Sequence, residues 1–285
     1  STSVDRKKLS ASFRSRNNGH EVPDGWVSSP RMATAPEYAA PAETPFTAGP
    51  DRRTGARSYA VPFIVAVTGH RDLVPDEIPI LRSRVRDCLF SLRYEYPSRI
   101  IVVMSSLADG ADRLVAEEAL QLGMPLSVVL PMPRVMYEED FTPESLEQFA
   151  ELCDKAAEIF ELPLLPGATP RSIAESGPNR TRQYAQLGVF LSAHCHVLLA
   201  LWDGKASDLL GGTAATIQFH HHDVMPGYTP RVTSSKLNLT EDESDLVYHI
   251  VCSRDRPDGE PAPGLEPLAT AWFTTDEQNP RTATI

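Results

Sequence analysis

The sequence lacks several features that mark whole classes of protein. It has four cysteines, Cys88, Cys153, Cys195 and Cys252, and no two of them are spaced as in a CxxC motif. This pattern argues against a structural zinc site and indicates a reducing compartment, so we expect a cytoplasmic protein. No apolar run approaches the ~18 residues that cross a membrane, and the N-terminus lacks the apolar core of a secretory signal.

Basic charge is also scarce over most of the chain. Residues 61–285 carry 18 Lys/Arg against 32 Asp/Glu, whereas residues 1–60 carry 9 against 6. Because neutralisation of phosphates supplies most non-specific affinity for nucleic acid, an acidic body is a poor general nucleic-acid binder. We therefore expect no nucleic-acid partner. An anionic ligand could still bind at a local group of backbone N–H groups with one or two arginines.

Composition divides the chain into three parts. The 285 residues are 41% hydrophobic and 23% charged, which is ordinary for one large or two small globular domains. Residues 1–58 are rich in Ser, Pro, Ala and Arg, and this composition predicts a disordered arm. We predict one domain over residues 59–253. Residues 254–285 form a Pro-rich, acidic C-terminal extension to which we assign no structure from the sequence.

Within the domain, short apolar strands alternate with amphipathic helices. The predicted strands are 63–67, 99–104, 126–130, 195–201 and 246–252; the predicted helices are 75–96, 111–122, 143–160, 181–193 and one running from the loop at 211–213 to about 221. Alternating strands and helices with short crossovers produce a parallel sheet. The fold class is therefore α/β, a Rossmann-like, doubly wound, mainly parallel sheet of at least five strands with helices on both faces.

Glycine and polar residues lie at the ends of three buried strands, and a further group lies in the loop at 211–213. In such sheets, ligands bind beyond the carboxyl ends of the strands, near the point where strand order reverses. The candidate ligand-binding residues are Gly69, His70, Arg71, Ser105, Ser106, Asp109, Gly110, Arg113, Trp202, Asp203, Gly204, Gly211, Gly212 and Thr213. No catalytic residue is assigned.

The strongest of these candidates form an anion site. Gly212 and Thr213 precede a helix whose first N–H groups attract a phosphate, and Arg71 could add a charge-assisted contact. For each glycine the alternative stays open that it serves only the tight turn. His70 likewise either contacts the ligand or only caps its turn.

The motifs VTGHRDL, SSLADGADRLVAEEAL and LLALWDG followed by GGT resemble the SLOG superfamily over about residues 62–253. This superfamily of Rossmann-like domains contains the DprA proteins, the cytokinin-activating LOG phosphoribohydrolases, and sensor domains of TRPM channels and bacterial conflict systems. The resemblance implies a pocket for a nucleotide or an NAD-derived ligand. The phosphate would lie on the Gly211–Thr213 turn, and Gly69, Ser106 and Gly110 would line the floor. It also implies an effector or partner that receives the signal.

The sequence departs from the hydrolase branch at one place. LOG hydrolases carry a glutamate pair after their Gly-Thr, whereas here Gly212-Thr213 is followed by Ala-Ala-Thr-Ile-Gln. Without that carboxylate the obvious general base is absent, which favours binding or sensing over catalysis. Hydrolysis of a nucleoside monophosphate stays open as the alternative, with Asp109 and Asp203 as replacement carboxylates.

Other interpretations stay open beside the nucleotide-binding hypothesis. The acidic run Glu138-Glu139-Asp140 is either a solvated loop or a contact for a ribose hydroxyl or Mg²⁺. A DprA-type binder of single-stranded DNA is disfavoured by the acidic body. A scaffold with an empty pocket, active through self-association, is the plainest alternative, and the resemblance to oligomeric relatives favours a homo-oligomer.

Overall fold

A computed structural model describes residues 61–225, 227–229 and 246–273. The predicted arm over residues 1–58 lies outside these residues. The described chain contains seven strands: Phe63–Gly69 (β1), Ile101–Ser105 (β2), Leu126–Leu130 (β3), Glu158–Glu161 (β4), Val197–Trp202 (β5), Val247–Val251 (β6) and Thr270–Phe273 (β7). Its helices are Ile78–Glu95 (α1), Ala111–Gln121 (α2), Arg134–Tyr137 (α3), Pro143–Lys155 (α4), Pro170–Ala174 (α5), Pro178–Ala193 (α6) and Thr213–His222 (α7). Short 3-10 turns occupy Pro75–Glu77 and Glu138–Asp140.

The strands form one sheet in the order β4-β3-β2-β1-β5-β6-β7. All neighbouring strands are parallel except β6 and β7. The chain adds strands on one side of β1 as far as β4 and then crosses to the other side of β1 with β5. Strand order therefore reverses between β1 and β5, and the predicted α/β, doubly wound, mainly parallel fold is confirmed.

Alternating residues of the central strand face two hydrophobic layers. Val65 and Val67 pack in one layer with side chains of α1, α2 and α4. Ala66 packs in the other with Leu187 of α6 and Ile217 of α7. Because both faces are covered, β1 reads as a continuous apolar run, which is why it could be found from the sequence.

One predicted helix is wrong in its last residues. We predicted a helix over 143–160, but α4 ends at Lys155, and the residues that follow leave the helix to form β4. This strand pairs in parallel with β3, with Val129 opposite Phe160. Ile159 and Phe160 favour extended backbone, and pairing with a strand outside the local sequence window decides between the two structures.

The structure also adds elements beyond the prediction. The sheet ends in β7, which pairs antiparallel with β6 within the stretch to which we assigned no structure. All four cysteines are buried free thiols. None of the described helices is both long and apolar enough to cross a membrane.

Candidate functional site

The carboxyl ends of the parallel strands meet at one edge of the sheet, here called the carboxyl edge. Every residue of the predicted site lies there: at the end of β1 or just after it, from the end of β2 to the first turn of α2, or from the end of β5 to the start of α7. The edge divides into two regions. The closed half, over β5 and β6, consists of His70 and of residues 202–205 and 252–265. The open half, over β1, β2 and β3, consists of Arg71, Ser106, Asp112, Tyr137, Asp140 and Tyr184.

The closed half is covered by the protein's own chain. The backbone oxygen of Asp203 accepts a 2.7 Å hydrogen bond from the amide of Ala262. A Cβ atom on Gly204, whose φ is +76°, would lie 2.1 Å from the side chain of Leu265. The Lys205 ammonium donates to the backbone oxygen of Asp258. The predicted site residues Trp202, Asp203 and Gly204 therefore lie beneath the segment that leads to β7.

His70 and Asp203 form a buried pair within this half. Nε2 of His70 lies 3.1 Å from Oδ1 of Asp203 and 3.2 Å from its backbone nitrogen. Burial disfavours ionisation of Asp203, but hydrogen bonds from His70 and from the Lys205 amide outweigh it and lower the carboxyl pKa. Close by, burial lowers the pKa of His249 to about 4, and its Nε2 contacts the Trp202 oxygen. The His70 side chain thus has a partner inside the protein.

The glycines after β1 and β2 allow close approach between protein segments. A Cβ atom on Gly69 would lie 2.3 Å from Cβ of Ala111, the first residue of α2. Gly110 has a φ of +74°, and a Cβ atom there would lie 2.3 Å from the backbone oxygen of Arg71. These glycines bring α2 against the end of β1. Ser105 also works within the turn, since its hydroxyl accepts from the Leu107 amide.

The side chains of Arg113 and Asp109 also bond within the protein. The Arg113 side chain is 3% exposed and forms an ion pair of 2.9 Å with Asp109. Its Nε donates to the backbone oxygen of Leu107, and its Nη1 donates to that of Ser145. The guanidinium carbon lies 4.7 Å from the ring centre of Phe141. Burial lowers the pKa of this guanidinium. Its remaining nitrogen, Nη2, is buried and has no hydrogen-bond partner among the described residues.

Arg71 is the charged residue of the predicted site with the fewest contacts to other side chains. It is exposed, and its guanidinium carbon lies 5.8 Å from the ring centre of Tyr184 on α6. It makes no side-chain hydrogen bond or ion pair with any described residue. Such a cation beside an aromatic ring is available to a phosphate or a carboxylate.

Ser106 and Asp112 form the inner wall of the open half. The Ser106 hydroxyl donates a 2.6 Å hydrogen bond to Oδ2 of Asp112, and the Ser106 amide donates to the same oxygen. Burial raises the pKa of the Asp112 carboxyl to about 6, against the lowering effect of these hydrogen bonds and of Arg71. Asp112 was not among the predicted residues, although it stands in the same GADRL motif as Arg113.

Three further residues of this half were not among the predicted site residues. Asp140 binds the Arg180 guanidinium at 2.6 Å and accepts from the Tyr184 hydroxyl. The Tyr137 ring packs 6.3 Å from that of Tyr184. Asp140 stands in the acidic run for which we left a ribose or Mg²⁺ contact open, and both of its oxygens have protein partners. The sequence signal for Tyr137 and Tyr184 is weak, since neither stands at the end of a strand.

The start of α7 borders the open half beside Tyr184. Gly211 has a φ of +75°, and a Cβ atom there would lie 2.6 Å from the Ala185 nitrogen and 2.9 Å from Cβ of Tyr184. Gly212 is the N-cap residue and Thr213 the first helical residue; no side chain of the described residues caps this helix. Its first N–H groups therefore have no side-chain partner among the described residues, as in helices that bind phosphate.

Two depressions open on the described surface. One of about 190 Å³ lies between α1, α2 and the loop after β1, and Arg71, Gly110 and Arg113 are among its lining residues. A larger one of about 630 Å³ lies at the end of α1 among Phe90, Tyr94 and Pro97. The larger one is at the opposite edge of the sheet and contains none of the predicted site residues, so we assign it no part in ligand binding. No three His, Cys, Asp or Glu side chains of the described chain are close enough to hold a metal ion.

Comparison with known proteins adds a fold-level likeness. No family model and no curated protein matches the chain. Among solved structures it is similar to DNA processing protein A (DprA) from Streptococcus pneumoniae, with 17% identity and a TM-score of 0.35. The match covers 56% of this chain and 47% of that one, so the chain spans about half the length of this relative. A likeness of this degree carries no conclusion about family, ligand or activity.

Proposed function

We propose that the open half of the carboxyl edge binds a nucleotide or a nucleotide-derived molecule, and that binding is sensed by an effector or a partner subunit. The observation that carries the proposal is the position of Arg71. It is an uncommitted guanidinium that stacks on Tyr184, and Gly211 at the start of the uncapped helix α7 packs against the same tyrosine. A phosphate between them would gain a charge-assisted hydrogen bond and the N–H groups of the first turn.

The position of these groups in the fold also supports the proposed ligand site. They lie where strand order reverses between β1 and β5, which is where ligands bind in open α/β sheets. The remainder of the domain is acidic, with 32 Asp/Glu against 18 Lys/Arg over residues 61–285. A compact local anion site in an acidic body favours a small phosphorylated ligand over a nucleic-acid chain.

Binding without turnover is favoured by the carboxylates of the site. The first turn of α7 contains no acidic residue. Asp112 is held by Ser106, and Asp140 by Arg180 and Tyr184. A general base needs a free lone pair within reach of the attacking water. Asp112 is buried and Asp140 is ion-paired with Arg180, so we favour a binding module over the phosphoribohydrolase.

The test is a thermal-shift screen of the full chain against nucleoside monophosphates, NAD, ADP-ribose and cyclic nucleotides, with each mixture then analysed for released base. A ligand at one hundred times its Kd stabilises by about 2.7 kcal/mol, which is several degrees for a domain of this size. Gly212→Asp places a carboxylate at the N-cap of α7 and should abolish the shift.

The matched control is Gly177→Asp, which makes the same change at the N-cap of α6, where φ is 166° and no atom crowds the Cβ position. It should leave the shift intact. Arg71→Gln should weaken binding at least tenfold, whereas Arg84→Gln, an exposed arginine on α1, should not. Release of free base would show that the alternative, a hydrolase, is correct. A screen without any shift would refute the pocket.

A further inference from the structure

The amino edge of the sheet, opposite the carboxyl edge, carries an exposed apolar patch. Of the eleven large apolar side chains that are exposed in the described chain, five lie at this edge. We call these five residues the amino-edge patch: Val61, Phe90, Tyr94, Tyr96 and Ile100. Exposed apolar side chains that are scattered singly need no explanation, whereas a cluster of them marks a surface that another segment or another protein covers.

Contacts join these residues into one surface. Phe90 and Tyr94 line the depression of about 630 Å³ at the end of α1. Beside it, the Tyr96 ring stacks on Phe63 with 4.6 Å between the ring centres. The Phe63 amide in turn donates a 2.9 Å hydrogen bond to the backbone oxygen of Ile100, which precedes β2. The patch therefore runs from the end of α1 to the starts of β1 and β2.

The described part of the chain begins within this patch. Val61 is its first residue, and Nη1 of Arg99 donates a 3.0 Å hydrogen bond to the Val61 backbone oxygen. Val61 and Phe63 are two residues apart, so in extended backbone their side chains lie on the same side, which is the side where Tyr96 stacks. Residues 1–60 therefore join the domain in the middle of the patch.

This junction decides between the possible occupants of the patch. A tethered segment acts at an effective concentration that reaches the millimolar range, and its docking immobilises no second molecule. A second copy or a separate protein would have to form its interface around the chain that leaves the patch at Val61. The occupant that these observations favour is therefore the stretch of this chain that precedes Val61.

That stretch contains the side chains that an apolar surface takes. Tyr59 stands two residues before Val61, and two residues of extended backbone span about 6.6 Å and return the side chain to the same side. The next large apolar side chain towards the N-terminus is Phe46. Aromatic side chains contribute large buried areas and stack on neighbouring rings, so two of them suit a surface made of Phe90 and Tyr94.

We infer that residues 45–60 dock on the amino-edge patch, with Tyr59 next to Val61 and Phe46 in the depression between Phe90 and Tyr94. The docked segment covers apolar side chains that the domain leaves exposed. The patch lies at the edge of the sheet opposite the proposed ligand site, so docking holds or fails independently of nucleotide binding.

The first test is photo-cross-linking in the full chain, with p-benzoylphenylalanine in place of Tyr94. We expect a cross-link within one chain to a peptide from residues 45–60, and the double variant Phe46→Ser, Tyr59→Ser should lose it. The matched control places the same amino acid at Val135, which is 72% exposed, as Tyr94 is, but lies on α3 at the carboxyl edge. It should give no cross-link to this segment.

Two results of this experiment would overturn the inference. A cross-link that joins two chains would show that a second copy covers the patch. Absence of any cross-link from position 94 to residues 45–60 would show that the segment does not reach it.

The second test is trypsin cleavage of the full chain after Arg57, within the docked segment. Cleavage follows the population of undocked segment where docking is fast compared with cleavage, so loss of one aromatic side chain from the contact should speed it about tenfold in Tyr94→Ser. Val135→Ser is the control and should leave the rate within about twofold. Both replaced side chains are exposed, so both variants should keep the wild-type Tm. Equal cleavage rates in the wild type and in Tyr94→Ser would contradict docking.

Discussion

The two halves of the carboxyl edge contain similar types of residue but differ in how those residues are paired. Each contains a buried aspartate, an aromatic ring and a basic side chain after a central strand. Over β5 and β6, the returning chain pairs with these groups: Asp203 with His70 and Lys205, and its backbone with Ala262. Over β1 to β3, the exposed Arg71 guanidinium keeps donors that no described residue accepts. The two halves therefore differ less in which polar residues they contain than in how many of those residues are paired within the protein, and we propose a ligand only for the half with the unpaired arginine.

The largest effect on stability is expected at Gly110, which lies against the backbone of His70 in the closed half and of Arg71 in the open half. In Gly110→Ala the new Cβ atom would lie 2.3 Å from the Arg71 oxygen and 2.6 Å from the His70 oxygen, and backbone atoms cannot move aside cheaply. We expect a loss of about 4 kcal/mol of unfolding free energy, measured by urea denaturation.

The control for this prediction is Gly123→Ala, where φ is +69° and no atom lies within 4 Å of the Cβ position. It carries only the cost of the left-handed backbone, about 1 kcal/mol. Equal losses in both variants would show that the close approach at Gly110 does not constrain the two halves.

The aspartates of the two halves should respond to pH with opposite sign. Burial raises the pKa of Asp112 to about 6, so the folded state holds this proton more tightly than the unfolded chain, whose Asp pKa is about 3.9. Its ionisation opposes folding, and stability should fall by about 2 kcal/mol as pH rises from 4 to 6. Asp112→Asn should lose this slope between pH 4 and 6, as followed by thermal unfolding in each buffer.

Asp203, the aspartate of the closed half, has a lowered pKa. The Asp203 carboxylate is stabilised in the folded state, so its contribution is present above about pH 4 and is lost only as pH falls below that value. Asp203→Asn should therefore flatten the profile below pH 4 and leave the slope between pH 4 and 6 unchanged. A slope between pH 4 and 6 that persists in Asp112→Asn would contradict the assignment to the open half.

A smaller loss is expected for removal of the pair in the closed half. Asp203→Ala leaves the buried His70 imidazole and the Lys205 amide without their acceptor, and we expect about 2 kcal/mol of destabilisation. Ligand binding, scored by the thermal shift with the nucleotide panel, should be unchanged. Loss of binding in a folded Asp203→Ala protein would show that the closed half takes part in the site.

The smallest stability effect is expected in the open half. Arg71 is exposed and lacks an ion pair among the described residues, so Arg71→Gln should change unfolding free energy by less than about 0.5 kcal/mol. Arg113→Gln is the contrast, because it removes hydrogen bonds to Leu107 and Ser145. A marked loss of stability in Arg71→Gln would assign this residue a structural role.

The elements that the sequence predicted well are those decided by local pattern. β1 is a continuous apolar run, and α2 ends before Gly123, whose positive φ only glycine adopts without strain. Residues 156–160 were predicted wrongly because β4 depends on pairing with β3. The site shows the same division. Residues at the strand ends could be placed at the carboxyl edge, whereas Tyr137, Asp140 and Tyr184 meet only through the packing of α3 and α6.

The strand order also has a consequence for how the chain is made. β1 pairs with β2 about 38 residues later, but Val65 pairs with Val197 of β5, which is synthesised 132 residues after it. At about 5–20 residues per second, roughly 7–26 s pass before that partner leaves the ribosome. During this interval the apolar strand β1 has one unpaired edge, and an unpaired strand edge can pair with another chain and lead to aggregation. A strand that lies at the centre of the finished sheet is thus an edge strand while the chain is being made.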